Sequence, residues 1–195
     1  MTVVTPLNAS WKSSTALNLA VVLAQSGRRV LLVDADLRRP RLHKVFGLDA
    51  SRGLSVYLSG LEKDPLAATQ RTSVEGLDVL PAGPIPPDPS ELLDSPTFAT
   101  MGPLLLAGGY DHIVYDSPPA LAVADPVIVA HVVEATIVVA RAGRTPRESL
   151  QRAVAKFVQA GTRPIGIVLN DLDAGRHGYG AYGYYGRPEN RAASG

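Results

Sequence analysis

Short apolar runs rich in valine, leucine and isoleucine alternate along the chain with longer stretches of helical pattern. Several of these runs are apolar at consecutive positions, which is typical of strands that helices cover on both faces. Strands that alternate with helices in this way predict repeated βαβ units around a parallel sheet. The six predicted strands are Val3-Val4, residues 30–33, Val79-Leu80, residues 112–115, residues 136–139 and residues 165–169.

Helical patterns fill the segments between the runs and predict helices on both faces of the sheet, an α/β fold. The predicted helices cover residues 13–25, 90–106, 124–133 and 146–160. Thr145 and Pro146 have the residue types of an N-cap and a first helical residue. Residues 81–90, PAGPIPPDPS, hold too many prolines for regular structure and predict a surface loop that ends where Ser90 caps a helix.

The composition changes near the end of the chain. From Ala174 onward the sequence is dominated by glycine, tyrosine and arginine, a composition that cannot build a core. We therefore predict one folded domain over residues 1–174 and a flexible Tyr/Gly-rich tail over residues 175–195.

Composition and charge exclude several classes of site and partner. With 19 basic and 18 acidic residues among 195, the net charge is +1, which gives no overall field to attract nucleic acid. The chain has no cysteine, which excludes disulfides, thiolate zinc sites and cysteine nucleophiles and favours a reducing compartment. No apolar run reaches the roughly 18 residues of a membrane span, and the N-terminus lacks a signal-peptide pattern. These features predict a cytoplasmic protein.

Three aspartates directly follow apolar strands. Asp34 and Asp36 end one predicted strand in LLVDADLRRP, and Asp116 ends another in HIVYDSPP. The carboxyl ends of parallel strands meet at the edge where α/β proteins bind ligands, and the period of two in a strand directs Asp34 and Asp36 to the same side. Like charges placed together favour a cation, and a strand-end aspartate commonly holds Mg²⁺ directly or through water. For any one aspartate alone, helix capping is the alternative.

The stretch TPLNASWKSST, residues 5–15, joins the first predicted strand to the first helix. Lys12-Ser13 stand where a phosphate-binding loop presents a lysine to the phosphates and a hydroxyl to Mg²⁺. The pattern G-x-x-x-x-G-K-[ST] would place glycines at residues 6 and 11, which are Pro6 and Trp11 here. An ordinary strand-to-helix turn, capped from residue 8 or 10, is the alternative.

Three long strings resemble the cytoplasmic kinase domain of bacterial tyrosine kinases, the BY-kinases of capsule and exopolysaccharide assembly. LLVDADLRRPRLHKVFGL is similar to the Walker A′ block of that family, GLDVLPAGPIPPDPSELL to the loop and helix that follow, and YDSPPALAVADPVIVA to its Walker B region. The resemblance covers nearly the whole chain. It implies a P-loop NTPase-like fold and an ATP- and Mg²⁺-dependent, non-specific protein-tyrosine kinase that phosphorylates its own tail.

The resemblance also implies roles for individual residues. The nucleotide-binding residues would be Lys12, Ser13 and Ser14 at the phosphates and Asn170 at the adenine. The metal shell would comprise Ser13, Asp34, Asp36 and Asp116. The catalytic residues would be Lys12, Asp34 and Asp36, the aspartates activating the incoming tyrosine hydroxyl. The acceptors, modified in trans between copies, would be Tyr179, Tyr182, Tyr184 and Tyr185.

The partners that the resemblance implies are other copies of the chain and a membrane-bound chain-length activator. In relatives the copies form a ring through an upstream helix with a glutamate-and-arginine motif, which we expect this sequence to lack. The activator, fused or separate, would hold the domain at the inner face of the membrane. Where the family has a proline-glycine-acid-glycine run, this chain has residues 8–11, NASW.

Two other functions stay open. The altered loop favours a pseudokinase-like adaptor, or an inactivated variant, that binds ATP poorly. A ParA/MinD-type partitioning ATPase shares the fold, although the extra signature lysine of that class would fall at Leu7.

Overall fold

The computed structural model describes residues 1–7 and 11–172. Its described strands form one seven-stranded sheet. The strands are β1 Thr2–Val4, β2 Val30–Asp34, β3 Gln70–Arg71, β4 Leu77–Leu80, β5 His112–Asp116, β6 Thr136–Arg141 and β7 Gly166–Asn170.

The sheet has the strand order β3-β4-β2-β5-β1-β6-β7. All neighbouring strands are parallel except β3, which pairs antiparallel with β4 at one edge. This topology confirms the predicted mostly parallel sheet. Strand β3 was not predicted, because its two residues are too few to show a periodic pattern.

Helices cover both faces of the sheet, as predicted. In the described part of the chain they are α1 Trp11–Gln25, α2 Leu42–Phe46, α3 Leu54–Leu58, α4 Pro89–Leu93, α5 Pro96–Ala107, α6 Asp125–His131 and α7 Arg147–Gln159, with a 3₁₀ helix at Pro65–Ala68.

The predicted helix over residues 90–106 is two helices. Ser95 interrupts it as the N-cap of α5, and its Oγ accepts a hydrogen bond from the Phe98 N–H at 3.3 Å. Pro96 then occupies a first-turn position, where its missing N–H costs nothing. The Ser-Pro pair therefore ends α4 and starts α5.

Two predicted caps are wrong. Pro146 is the N-cap of α7 rather than its first residue, and the Thr145 Oγ1 accepts from the Arg141 N–H at 2.9 Å instead of capping the helix. Ser90 lies inside α4, where Asp88 is the N-cap residue. The Ser90 hydroxyl contacts another helix, as described below.

The central strands are buried on both faces, which explains their consecutive apolar residues. Every residue of β1 and β2 is buried. Leu31 and Val33 pack into a core layer with α5, whereas Val30 and Leu32 pack into a second layer with α1. Strand β7, at the other edge, is largely exposed. No helix within residues 1–7 and 11–172 is long and apolar enough to cross a lipid bilayer.

Candidate active site

Two of the predicted aspartates meet at the carboxyl edge of the sheet. Asp34 ends β2 and Asp116 ends β5, and the two residues stand directly opposite each other in the parallel register. The Ala35 N–H donates to the Asp116 carbonyl at 2.9 Å, which continues the pairing beyond the strand ends. Both aspartates are buried, with exposures of 0% and 1%. The register places the two residues about 5 Å apart, the spacing of neighbouring strands.

Asp34 is bound by the backbone of the loop that follows it. Its Oδ2 accepts from the N–H groups of Arg41 and Leu42, each at 3.0 Å, and its Oδ1 accepts from the Asp36 N–H at 3.3 Å. Because a carboxylate that accepts several backbone N–H groups fixes the local chain, Asp34 positions the loop between β2 and α2.

Asp36 lies two residues further along this loop. Its Oδ1 accepts from the Arg39 N–H at 3.0 Å, which closes a tight turn, and the residue is 9% exposed. Asp36 is therefore slightly exposed, whereas Asp34 is fully buried.

Helix α1 brings a hydroxyl to the third aspartate. Ser13, in the first turn of α1, donates from Oγ to the Asp116 Oδ2 at 2.5 Å. The first N–H groups of a helix have no partners within it, and the helix dipole makes this end positive. Phosphate groups bind readily at such an end. Lys12 and Ser14 belong to the same turn. Residues 8–10 and the side chains of residues 11 and 12 lie outside the description, so the loop prediction stays a prediction.

The carboxylates do not form a ready-made metal cluster. Within the described residues, no three acidic, histidine or cysteine side chains are close enough together to hold a metal ion. The oxygen pair of Ser13 and Asp116 nevertheless suits Mg²⁺, which prefers oxygen ligands and keeps several waters. The four-residue metal set therefore stays a prediction.

Asn170 ends β7 at the same edge of the sheet. It stands opposite Arg141 in the register, and its Oδ1 accepts from the Asp171 N–H at 2.9 Å. Strands β1 and β6 separate β7 from β5, and the register places Gly166 rather than Asn170 across from Asp116. Asn170 therefore lies well beyond the about 14 Å of three strand spacings from Asp116. Its contact with adenine stays a prediction. The acceptor role of the four tail tyrosines also stays a prediction, because these residues lie outside the described ones.

An ion pair between an exposed arginine and a buried aspartate was missed by the sequence analysis. The Arg38 Nε donates to the Asp125 Oδ2 at 2.8 Å, and its Nη2 donates to the Ser90 Oγ at 2.8 Å. Ser90 in turn donates to the Asp125 Oδ1 at 2.6 Å. Burial alone would raise the pKa of Asp125, but the hydrogen bonds from Arg38 and Ser90 outweigh it and lower the pKa. The loop after β2 is thereby joined to α4 and α6.

Replacing Arg38 with methionine should destabilise the protein by about 1–3 kcal/mol at neutral pH. The loss is below that of a fully buried pair, because 39% of the Arg38 side chain is exposed. The ion pair lowers the pKa of Asp125. Its contribution to stability is therefore fully present above the unfolded-state pKa of about 4, and this contribution is lost as the pH falls through the folded-state pKa. Urea unfolding at neutral and acid pH measures the difference. A difference from wild type that stayed constant with pH would contradict the assignment.

Comparisons with known proteins identify the family of this chain. Residues 10–180 match the CobQ/CobB/MinD/ParA nucleotide binding domain. The chain is 40% identical over 180 residues to the tyrosine-protein kinase YwqD of Bacillus subtilis, an alignment that covers 92% of this chain and 74% of that protein. This chain belongs to the bacterial tyrosine kinase family.

Solved structures of bacterial tyrosine kinases share the fold. The kinase domain of VpsO superposes with a TM-score of 0.81 at 34% identity, covering 88% of this chain and 84% of that one. The kinase domain of the Escherichia coli tyrosine kinase ETK gives 0.81 at 35% identity, with coverages of 87% and 66%. The family resemblance and the P-loop NTPase-like fold predicted from the sequence are thereby confirmed.

Relatives differ in how much of their length this tyrosine kinase chain spans. The tyrosine-protein kinase Ptk of Acinetobacter johnsonii is 40% identical over 168 residues, which are 86% of this chain but 23% of Ptk. The MinC:MinD complex of Aquifex aeolicus shares the fold alone, with a TM-score of 0.75 at 20% identity.

Proposed function

We propose that this chain is an ATP- and Mg²⁺-dependent autokinase that phosphorylates the C-terminal tyrosine cluster of another copy. Exopolysaccharide or capsule chain-length control is the process that it would serve, as the family resemblance implies. The proposal covers the tyrosine acceptors, the cofactors and the residues of the site.

The burial of the other tyrosines supports the tail as acceptor. The chain has seven tyrosines. Tyr57, Tyr110 and Tyr115 have exposures of 3–6% in the folded domain. Tyr115 also packs edge-to-face on Phe98, with ring centroids 6.0 Å apart, and burial raises the pKa of its hydroxyl. Burial of these three side chains limits the access of a kinase to their hydroxyls. The remaining acceptors are Tyr179, Tyr182, Tyr184 and Tyr185.

The residues of the site would have different roles in phosphoryl transfer. This reaction depends on positioning of the reactants and on neutralisation of charge. The N-terminus of α1, with Lys12, Ser13 and Ser14, would bind the phosphates of ATP. Mg²⁺, when bound, would neutralise charge on the phosphates, and Ser13 and Asp116 would hold it together with Asp34 and Asp36. Asp36, which is slightly exposed, would accept the proton of the incoming tyrosine hydroxyl. Asn170 would contact the adenine.

The partners in this proposal are other copies of the chain, in a homo-oligomer or ring, and a transmembrane activator. Transfer in trans requires at least a transient contact between two copies. The activator, fused or separate, would place the domain at the inner face of the cell membrane.

Mapping the phosphorylated positions tests the proposal. After incubation with Mg²⁺ and ATP, we expect mass spectrometry to find phosphate on the four tail tyrosines and none on the buried ones. Mixing a Lys12→Met chain with a chain whose tail tyrosines are phenylalanines separates transfer in trans from transfer in cis. Phosphate on the tail of the Lys12→Met chain supports trans transfer. Phosphate confined to Tyr57, Tyr110 or Tyr115 would contradict the proposal.

The non-enzymatic alternative rests on the loop before Lys12. Non-glycine residues adopt the backbone angles of a phosphate nest at a cost of about 1–3 kcal/mol each. If Trp11 is the main obstacle, Trp11→Gly should tighten ATP binding by about tenfold, which corresponds to 1.4 kcal/mol. Titration of ATP with Mg²⁺ measures the change, with Trp11→Ala as the control for loss of the indole. An unchanged affinity would show that Trp11 does not cause weak ATP binding. A folded chain that does not bind ATP would support the adaptor function.

A further inference from the structure

A basic groove of about 740 Å³ lies beside the candidate active site. One wall is the segment that runs from the loop after β2 into α2, and the other is the start of the proline-rich loop after β4. We define the basic groove by its lining residues Arg39, Arg41, His43, Lys44, Pro84 and Ile85.

Three of the cations that line this groove form no side-chain ion pair among the described residues. Arg39, Arg41 and Lys44 are exposed and form no ion pair within residues 1–7 and 11–172. Arg38, which also lines the groove, is by contrast paired with Asp125. Three positive charges without counter-charges on one wall attract a multiply charged anion, and arginine binds phosphate through two parallel hydrogen bonds.

The opposite wall of the groove is apolar and held in place. Ile85 is 64% exposed, and Pro84 lies next to it. The Ser55 Oγ donates to the Pro84 carbonyl at 2.7 Å, which fixes the loop against α3. Gly83 adopts a positive φ of 80°, which allows the chain to turn here. An apolar wall that faces cations suits an aromatic ring that carries a phosphate.

The groove is tied to the active site through the backbone. Asp36 accepts from the Arg39 N–H and Asp34 accepts from the Arg41 N–H, each at 3.0 Å. The backbone that carries Arg39 and Arg41 is therefore held by the two carboxylates proposed to act in transfer. Tyr182 and Tyr185 are three residues apart, a reach of about 10 Å in extended chain.

We propose that the basic groove binds a phosphotyrosine in the tail of a second copy of this chain, so that one phosphorylation promotes the next. The cations hold the phosphate and the wall of Pro84 and Ile85 holds the ring. This inference rests on the proposed function, since it takes the tail as the acceptor. It assigns to the site a preference for tails that already carry phosphate.

A binding titration without ATP tests the inference separately from catalysis. The protein is the full chain with its four tail tyrosines replaced by phenylalanine, which removes competition from its own tail. The probe is a fluorescent peptide of residues 178–186, either unmodified or phosphorylated at Tyr184. We expect the phosphorylated peptide to bind at least about tenfold more tightly. Equal affinities would overturn the inference.

Matched variants locate the binding. Arg39→Gln, Arg41→Gln and Lys44→Gln together should weaken phosphopeptide binding by about tenfold or more. The control carries Lys63→Gln, Arg152→Gln and Arg163→Gln, which remove the same charge from exposed positions elsewhere. Urea unfolding verifies that both triple variants are folded. Equal binding by the two would overturn the inference.

Two further ligands, inorganic phosphate and phosphatidylserine vesicles, test whether the groove binds a different class of anion. Inorganic phosphate should compete only weakly, and Ile85→Ser should reduce the preference for phosphopeptide over phosphate, because the ring loses its contact. Competition by phosphate equal to that of the phosphopeptide would overturn the role of the ring. Binding to phosphatidylserine vesicles that needs the three cations, without a preference for phosphopeptide, would assign the groove to a membrane surface and overturn the proposal. Tight phosphopeptide binding by a chain that transfers no phosphate would contradict the proposed function alone.

Discussion

Replacing Asp36 with asparagine should reduce tail phosphorylation by about 100-fold or more while the domain stays folded. Asparagine keeps an oxygen that can accept from the Arg39 N–H, so the turn that Asp36 closes is retained. The substitution removes the negative charge and the basic oxygen that would accept the tyrosine proton. General-base groups of this kind contribute about 10²–10⁴-fold to rate.

The loss should appear in the rate of transfer rather than in the affinity for ATP. Radiolabelled phosphate incorporation at saturating Mg²⁺ and ATP measures the rate, and an equilibrium titration measures the affinity. Asp94→Asn is the matched control, because Asp94 is exposed at the end of α4. A rate equal to that of the control would remove Asp36 from the catalytic residues. A loss of ATP binding alone would assign it to the nucleotide.

Replacing Asp34 with alanine should destabilise the domain by at least about 3 kcal/mol. Three backbone N–H groups, those of Asp36, Arg41 and Leu42, would lose their acceptor. A buried donor left without a partner costs about 1–3 kcal/mol, and the whole stability of a domain is only about 5–15 kcal/mol. Asp34 is fully buried, so water cannot easily replace the carboxylate.

Urea unfolding of Asp34→Ala, Asp34→Asn and the control Asp94→Ala measures this effect. Asparagine keeps one acceptor oxygen and should fall between the other two. The control should stay within about 0.5 kcal/mol of wild type, as exposed positions usually do. If Asp34→Ala were as stable as Asp94→Ala, the loop after β2 would not depend on the carboxylate. The pair of predictions thus separates a positioning role for Asp34 from a chemical role for Asp36.

The sequence predicted the sheet well because its strands are buried on both faces. Six apolar runs each correspond to an observed strand, and two of the aspartates lie where strand ends predict them. Strand β3 was not predicted, because two residues that are not buried show no hydrophobic pattern. The break between α4 and α5 has a local signal, Ser95-Pro96, which the helical pattern of residues 90–106 obscured.

Side-chain partners over long distances were not predictable from local pattern. Ser90 has the residue type of a helix cap, but its hydroxyl instead joins Arg38 and Asp125. The three residues lie in three separate segments of the sequence. Only the packing of α4 and α6 against the loop after β2 brings them together. The backbone hydrogen-bond partners of Asp34 and Asp36 were missed for a similar reason. Their partners are backbone N–H groups of a loop whose course the residue types do not reveal.

The hydrogen bond between Ser13 and Asp116 links residues 103 positions apart, and Asp34 faces Asp116 only through parallel pairing of β2 with β5. Contacts between such distant segments form slowly, since loop closure must precede them. We therefore expect the candidate site to be completed late in folding. In a refolding experiment, any nucleotide affinity should return with the slowest phase, after the helices have formed.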